Sequence, residues 1–296
     1  MQPVLKAPAA VDQQATGYVE VYSGWASTRD TEAFCFSGKC DSDTTRLNGW
    51  ALGGAGRANY WVSREVSVQV DAQAEGTSYD NPGGGHFSNH SYLVGGHWSW
   101  RNPQQYLFGL FGAVGDSGSF FGFTSPARHG LIGAEAQWYW HQFTFYAQGG
   151  YDTTLGTVGN NLDSVNAWFI RGTGRYFFNP NVLIEGTVMY ANGSLDVSQS
   201  GPSVGFNTWT WDVKGEWRLA AAPFSVFAKY EGSQTKYASS VDFFGPTSQK
   251  ATDQRVLLGL KLHMGDKTLQ QTDRAGATLD IRSPVANPTS PLMFAN

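Results

Sequence analysis

The chain has 296 residues, of which 36 are glycine; aromatics make up 15%, charged side chains only 15%, and the formal net charge is -4. Soluble domains usually carry about 25% charged residues and about 7% glycine, so this composition departs from an ordinary water-soluble domain. The weakly acidic balance leaves no basic footprint for nucleic acid. A mean hydropathy of -0.32, with no run of about 18 apolar residues, excludes membrane-spanning helices.

Met1-Gln2-Pro3-Val4-Leu5-Lys6 lacks the apolar stretch of a secretory signal, as expected if a start methionine had been joined to a mature chain. Residues 1–16 carry no sustained pattern, and alternation of period two begins after them. Candidate strands fall near 17–28, 45–60, 64–78, 89–101, 105–115, 129–140, 142–153, 165–177, 181–192, 206–219, 223–235 and 251–264. The alternation is plainest over 65–75, where even positions are apolar and odd ones polar, and it returns over 142–148 and 209–219. Strand five is different: Tyr106-Leu107-Phe108-Gly109-Leu110-Phe111 is apolar on both faces, as suits a strand packed against something inward. Residues 265–296 again lose the pattern and read as a flexible tail.

Between the strands, tight turns near Ser63, Asn102-Pro103, His141, Asn179-Pro180-Asn181 and Ala221-Ala222-Pro223 alternate with longer polar loops. The loops are expected at about 29–44, 79–88, 116–128, 154–164, 193–206 and 236–250. Short turns at one end and long loops at the other are the mark of a transmembrane β-barrel, with the short turns periplasmic. A soluble β-sandwich or lectin is the alternative, with its charged face in water and its apolar face in a core. The asymmetry of turns and loops is the strongest argument between them, and the aromatics agree, because they gather where strands would cross the lipid headgroups. Tyr60, Trp61, Trp98, Trp100, Trp138, Trp140, Tyr176 and Trp217 adjoin the short turns; Trp25, Trp50, Tyr92, Tyr151, Trp168 and Trp209 lie toward the loops.

The expected fold is therefore all-β: an antiparallel up-and-down transmembrane barrel of about twelve strands over 17–264, located in a bacterial outer membrane. Residues 1–16 and 265–296 are expected as periplasmic extensions. Pro3-Val4-Leu5-Lys6-Ala7-Pro8 resembles the mature start of α-proteobacterial outer-membrane barrels, and Leu257–Met264 resembles the last-strand signal read by barrel-assembly machinery. That resemblance implies a porin-like architecture and carries no active-site motif. Cys35 and Cys40 enclose a short loop and would form a disulfide in an oxidising compartment.

With the apolar face toward lipid, the opposite face lines a lumen where acidic and basic side chains nearly balance. Burying many charges in a dry interior is costly unless each is paired, so a wet lumen is expected. Twelve strands lie between barrels filled by side chains and those with open channels. The expected function is passive diffusion of ions or small polar solutes through a narrow charged passage, with Asp71, Glu135, Arg171, Asp212, Lys229 and Glu231 at its constriction. Each could equally be a cross-strand ion pair that holds register, and a plugged barrel serving as an anchor or interaction protein is the alternative. A lipid hydrolase is less favoured: alternation turns Ser91, His97 and Ser99 inward and leaves His86 and His90 in or beside a loop, so no outward nucleophile and base meet. No enzyme, metal or cofactor is called for. Expected partners are outer-membrane lipid and lipopolysaccharide, ions or small solutes, and a possible second copy of the chain.

Overall fold

The computed structural model describes residues 14–36, 39–80, 85–117, 127–155, 162–197, 203–219, 222–242 and 245–282. Twelve strands follow in order: β1 (Ala15–Phe36), β2 (Lys39–Trp61), β3 (Val66–Asp80), β4 (His86–Asn102), β5 (Tyr106–Ser117), β6 (Ala127–Trp140), β7 (Phe143–Thr154), β8 (Leu162–Asn179), β9 (Val182–Val197), β10 (Val204–Arg218), β11 (Phe224–Asp242) and β12 (Gly245–Met264). Each pairs antiparallel with its sequence neighbours, and β1 pairs with β12 from Gly17↔Met264 to Phe34↔Thr247, so the sheet closes on itself. Closure matters physically, because hydrocarbon offers no partner to an unpaired backbone group.

The alternation resolves as expected. Leu52, Trp98, Leu110, Ile132, Trp138, Leu258 and Leu260 are exposed on the outer wall, while Asp71, Glu135, Arg171, Asp212 and Arg255 are buried inside. An apolar belt between two aromatic rings places the protein in the outer membrane. Trp61 is a correction: it is 4% exposed and turned inward, whereas its neighbour Tyr60 is 47% exposed and belongs to the ring. Pairing also reaches further than expected, since β1 and β2 run to 22 and 23 residues where a bilayer needs about 9–11. Most of the expected loop 29–44, and much of 79–88, 193–206 and 236–250, is strand continued beyond the membrane. Polar residues do not end a strand whose partner still satisfies its backbone. Cys35 and Cys40 face each other in the β1–β2 register, but their side chains lie outside the described residues.

Inside the wall, wide rings lie over glycines of adjacent strands. A Cβ at Gly53 would stand 2.6 Å from the Tyr22 ring, and one at Gly133 would stand 2.4 Å from that of Phe111. Part of the high glycine content thus makes room for lumen aromatics. His141, at φ 51°, closes the turn between β6 and β7.

The largest departure from expectation is at the C-terminus. Residues 266–282 form no flexible periplasmic tail; they turn back into the barrel. Helix α1 (Leu269–Ala275) begins at Thr268, whose hydroxyl accepts from the Gln271 amide. An extended stretch through Arg282 follows and climbs the lumen. Leu269 packs with Phe177 and Leu183, Leu279 with Leu107 and Tyr146, and Ile281 with Leu93, Phe111 and Phe169. The inner face of strand five is apolar because this segment covers it. A Cβ at Gly95 would lie 2.3 Å from Ile281 Cδ1, so glycine there makes room for the tip.

Candidate functional site

The site is the lumen together with the segment that fills it, and it is held by charge. Arg175 on β8 donates from Nε to Glu185 Oε2 at 2.5 Å and from Nη1 to Asp273 Oδ1 at 2.7 Å. Thr144 Oγ1 donates to the other oxygen of Asp273 at 2.5 Å. Four residues earlier on the same strand face, Arg171 grips both carboxylate oxygens of Asp280, with Nη1 at 3.1 Å from Oδ2. Arg282 pairs with Asp212 on β10 and lies 3.3 Å from Asp280. A charge chain Arg171–Asp280–Arg282–Asp212 therefore joins plug and wall.

The six residues expected at the constriction all face the lumen, but they do not line one open ring. Asp71 and Glu135 hold His97 between them, at 3.2 Å from Nε2 and 2.7 Å from Nδ1. Glu135 also accepts from the Tyr146 hydroxyl at 2.7 Å and from Gln148 at 3.0 Å. Lys229 pairs with Glu231 at 2.5 Å, whereas Arg171 and Asp212 engage the plug. The expectation of charges solvated in a narrow wet passage is thus replaced by charges paired across a largely filled interior. Double pairing compensates the desolvation that burial imposes on these charges.

Sequence reasoning missed the C-terminal plug and its charged side chains Asp273, Asp280 and Arg282. A signal was present: Thr268-Leu269-Gln270-Gln271 matches a helix-capping box, and Leu279-Asp280-Ile281-Arg282 alternates apolar with charged residues. Space remains on the side of β1, β2 and β11. Two adjoining cavities of about 90 Å³ each share Glu20, Tyr22, Arg57, Lys229, Asp280 and Arg282 in their linings.

At the periplasmic end Arg218 Nη2 donates to the Asp266 carbonyl at 2.7 Å, and burial pushes the Asp266 carboxyl up to about 6. A raised carboxyl favours the docked state below its ordinary value near 3.9, and this contribution is lost as pH rises through about 6. Asp266→Asn is therefore expected to strengthen docking at pH 7.5, by at most about 3 kcal/mol, and to change little at pH 4. Thermal unfolding followed on unheated gels at the two pH values checks this, and equal shifts at both would contradict it.

Ser225 Oγ lies 3.0 Å from His263 Nε2 and donates to Glu216 Oε1 at 2.7 Å. Glu216 is 3.6 Å from that same Nε2. In a working triad the acid holds the opposite ring nitrogen, so this group is not wired to activate the serine.

These features define an outer-membrane β-barrel with an inserted C-terminal plug. No family model matches the sequence, and no curated protein does. Among solved structures, an outer membrane channel from Pseudomonas putida F1 is similar at TM-score 0.56 and 11% identity, over 88% of this chain and 98% of that one. A FadL homologue from Pseudomonas aeruginosa is similar at TM-score 0.45 and 10% identity, over 86% and 90%. The outer membrane protease OmpT from Escherichia coli is similar at TM-score 0.39 and 12% identity, over 84% and 97%. The first of these bears out the fold.

Proposed function

We propose that the chain is an outer-membrane channel for ions or small polar solutes whose passage is closed by its own C-terminal segment. The observation that carries this reading is the pair of adjoining charged cavities beside the plug. They trace a polar route that widens once Asp280 and Arg282 leave. A segment held by ion pairs and small apolar contacts, without a covalent tie along the lumen, can be displaced. The Pseudomonas putida channel shares the architecture, which agrees with a transport role. On this reading the protein is no enzyme, lipid and lipopolysaccharide surround its belt, and Cys35 and Cys40 form a disulfide outside the membrane. Thiol alkylation is expected to fail before reduction and succeed after it; labelling before reduction contradicts the disulfide.

Planar-bilayer recording tests the channel. The unaltered chain is expected to show small, infrequent steps, and Asp280→Asn/Arg282→Gln steps at least several-fold larger and longer. Silence from a folded, inserted double variant would favour the second reading, a permanently plugged anchoring barrel, which the dense pairing around Arg175 supports.

A further inference from the structure

The way the lumen holds its plug is a form of peptide recognition. Wall side chains reach the main chain of the segment at successive positions. Trp61 Nε1 donates to the Ala275 carbonyl at 2.8 Å and Arg101 Nη1 to that of Gly276 at 3.0 Å. Gln69 takes both backbone groups of Leu279: its Nε2 donates to the carbonyl at 2.7 Å and its Oε1 accepts from the amide at 3.2 Å. Gln148 donates to the Asp280 carbonyl at 2.8 Å and Gln73 to the Ile281 carbonyl at 3.4 Å. Such contacts read an extended backbone whatever its side chains, while pockets for alternate side chains supply the selectivity. Here Leu279 and Ile281 enter apolar pockets, Asp280 meets Arg171, and Arg282 meets Asp212.

From this the geometry points to a peptide-binding groove in the lumen, with residues 278–282 as its resident ligand. The partner it fits is an extended segment of another protein, with the order apolar, acidic, apolar, basic, that binds when the resident segment leaves. Any segment buried in the lumen must pair its backbone groups; here one glutamine is matched to both groups of a single residue, in the manner of main-chain peptide recognition. The inference rests on the reading that the plug is displaceable, and extends it by naming what takes its place.

The test uses the full chain carrying Ile281→Asp, which removes the apolar anchor of the segment, with trypsin cleavage after Arg274 reporting its release. The probe is a fluorescein-labelled synthetic peptide with the sequence of residues 277–283, followed by fluorescence polarisation in detergent micelles. It is expected to bind this variant at least tenfold more tightly than the unaltered chain, in which the resident segment competes. Adding Gln69→Ala is expected to weaken binding about tenfold. Should that variant fail to fold, a peptide with asparagine at the position of Asp280 gives the same readout without altering the protein. A scrambled peptide binding equally well, absence of binding to a released variant, or a segment that stays docked would each overturn the proposal. Bilayer recording of the same variant separates the two claims. Conductance without peptide binding removes the groove and keeps the channel, and peptide binding without conductance does the reverse.

Discussion

Arg175→Met is expected to lower barrel stability by about 3–5 kcal/mol, the usual cost of removing one partner from a buried ion pair. Arg175 serves Glu185 on the adjacent strand and Asp273 on α1 at once, and donates further to Thr278 Oγ1 at 2.9 Å. Without it, Glu185 keeps Lys214 at 3.3 Å, but Asp273 keeps only hydroxyl donors, Thr144 at 2.5 Å and Thr278 at 3.3 Å. An ionised carboxylate that is 5% exposed is poorly stabilised by such neutral partners, so α1 should undock before the barrel opens. The unheated-gel melting temperature should fall, with trypsin cutting first after Arg274. Adding Asp273→Leu should restore much of the loss, since it removes the stranded charge. A single variant as stable as the unaltered protein would show that water enters this end of the lumen freely.

Ile281→Asp should release the segment while leaving the wall intact. Ile281 is 2% exposed and sits among Leu93, Phe111, Leu131 and Phe169. Full burial of such a side chain contributes about 1.5–3 kcal/mol, and the substitution forfeits this. It also forces a carboxylate among apolar groups, at a cost of several kcal/mol unless it is protonated or leaves. The segment crosses no strand pair, so leaving breaks no sheet hydrogen bond. The expected result is rapid trypsin cleavage after Arg274, slow in the unaltered protein, with the melting of the barrel itself lowered much less than by Arg175→Met. Cleavage at equal rates in both proteins would mean that the segment is not held by its tip.

The alternation over 65–75, the outward aromatics and the short turns beside Asn102-Pro103 and Asn179-Pro180-Asn181 were enough to establish the barrel. Side chains on a strand alternate by covalent geometry, so pattern becomes face without knowledge of any distant contact. The same rule placed Asp71, Glu135, Arg171, Asp212, Lys229 and Glu231 inside. It could not say what each would meet. Arg171 and Asp280 are 109 positions apart, and nothing local to either names the other. The doubly apolar strand five was the nearest hint, since Leu107 and Phe111 had to be covered by something. That the cover is the C-terminal segment, and that Trp61 turns inward to hold the Ala275 carbonyl, depended on closure of the wall. Only a closed barrel creates an interior whose charges must find partners within it, and only then does a short capped helix at the chain end become the piece that supplies them.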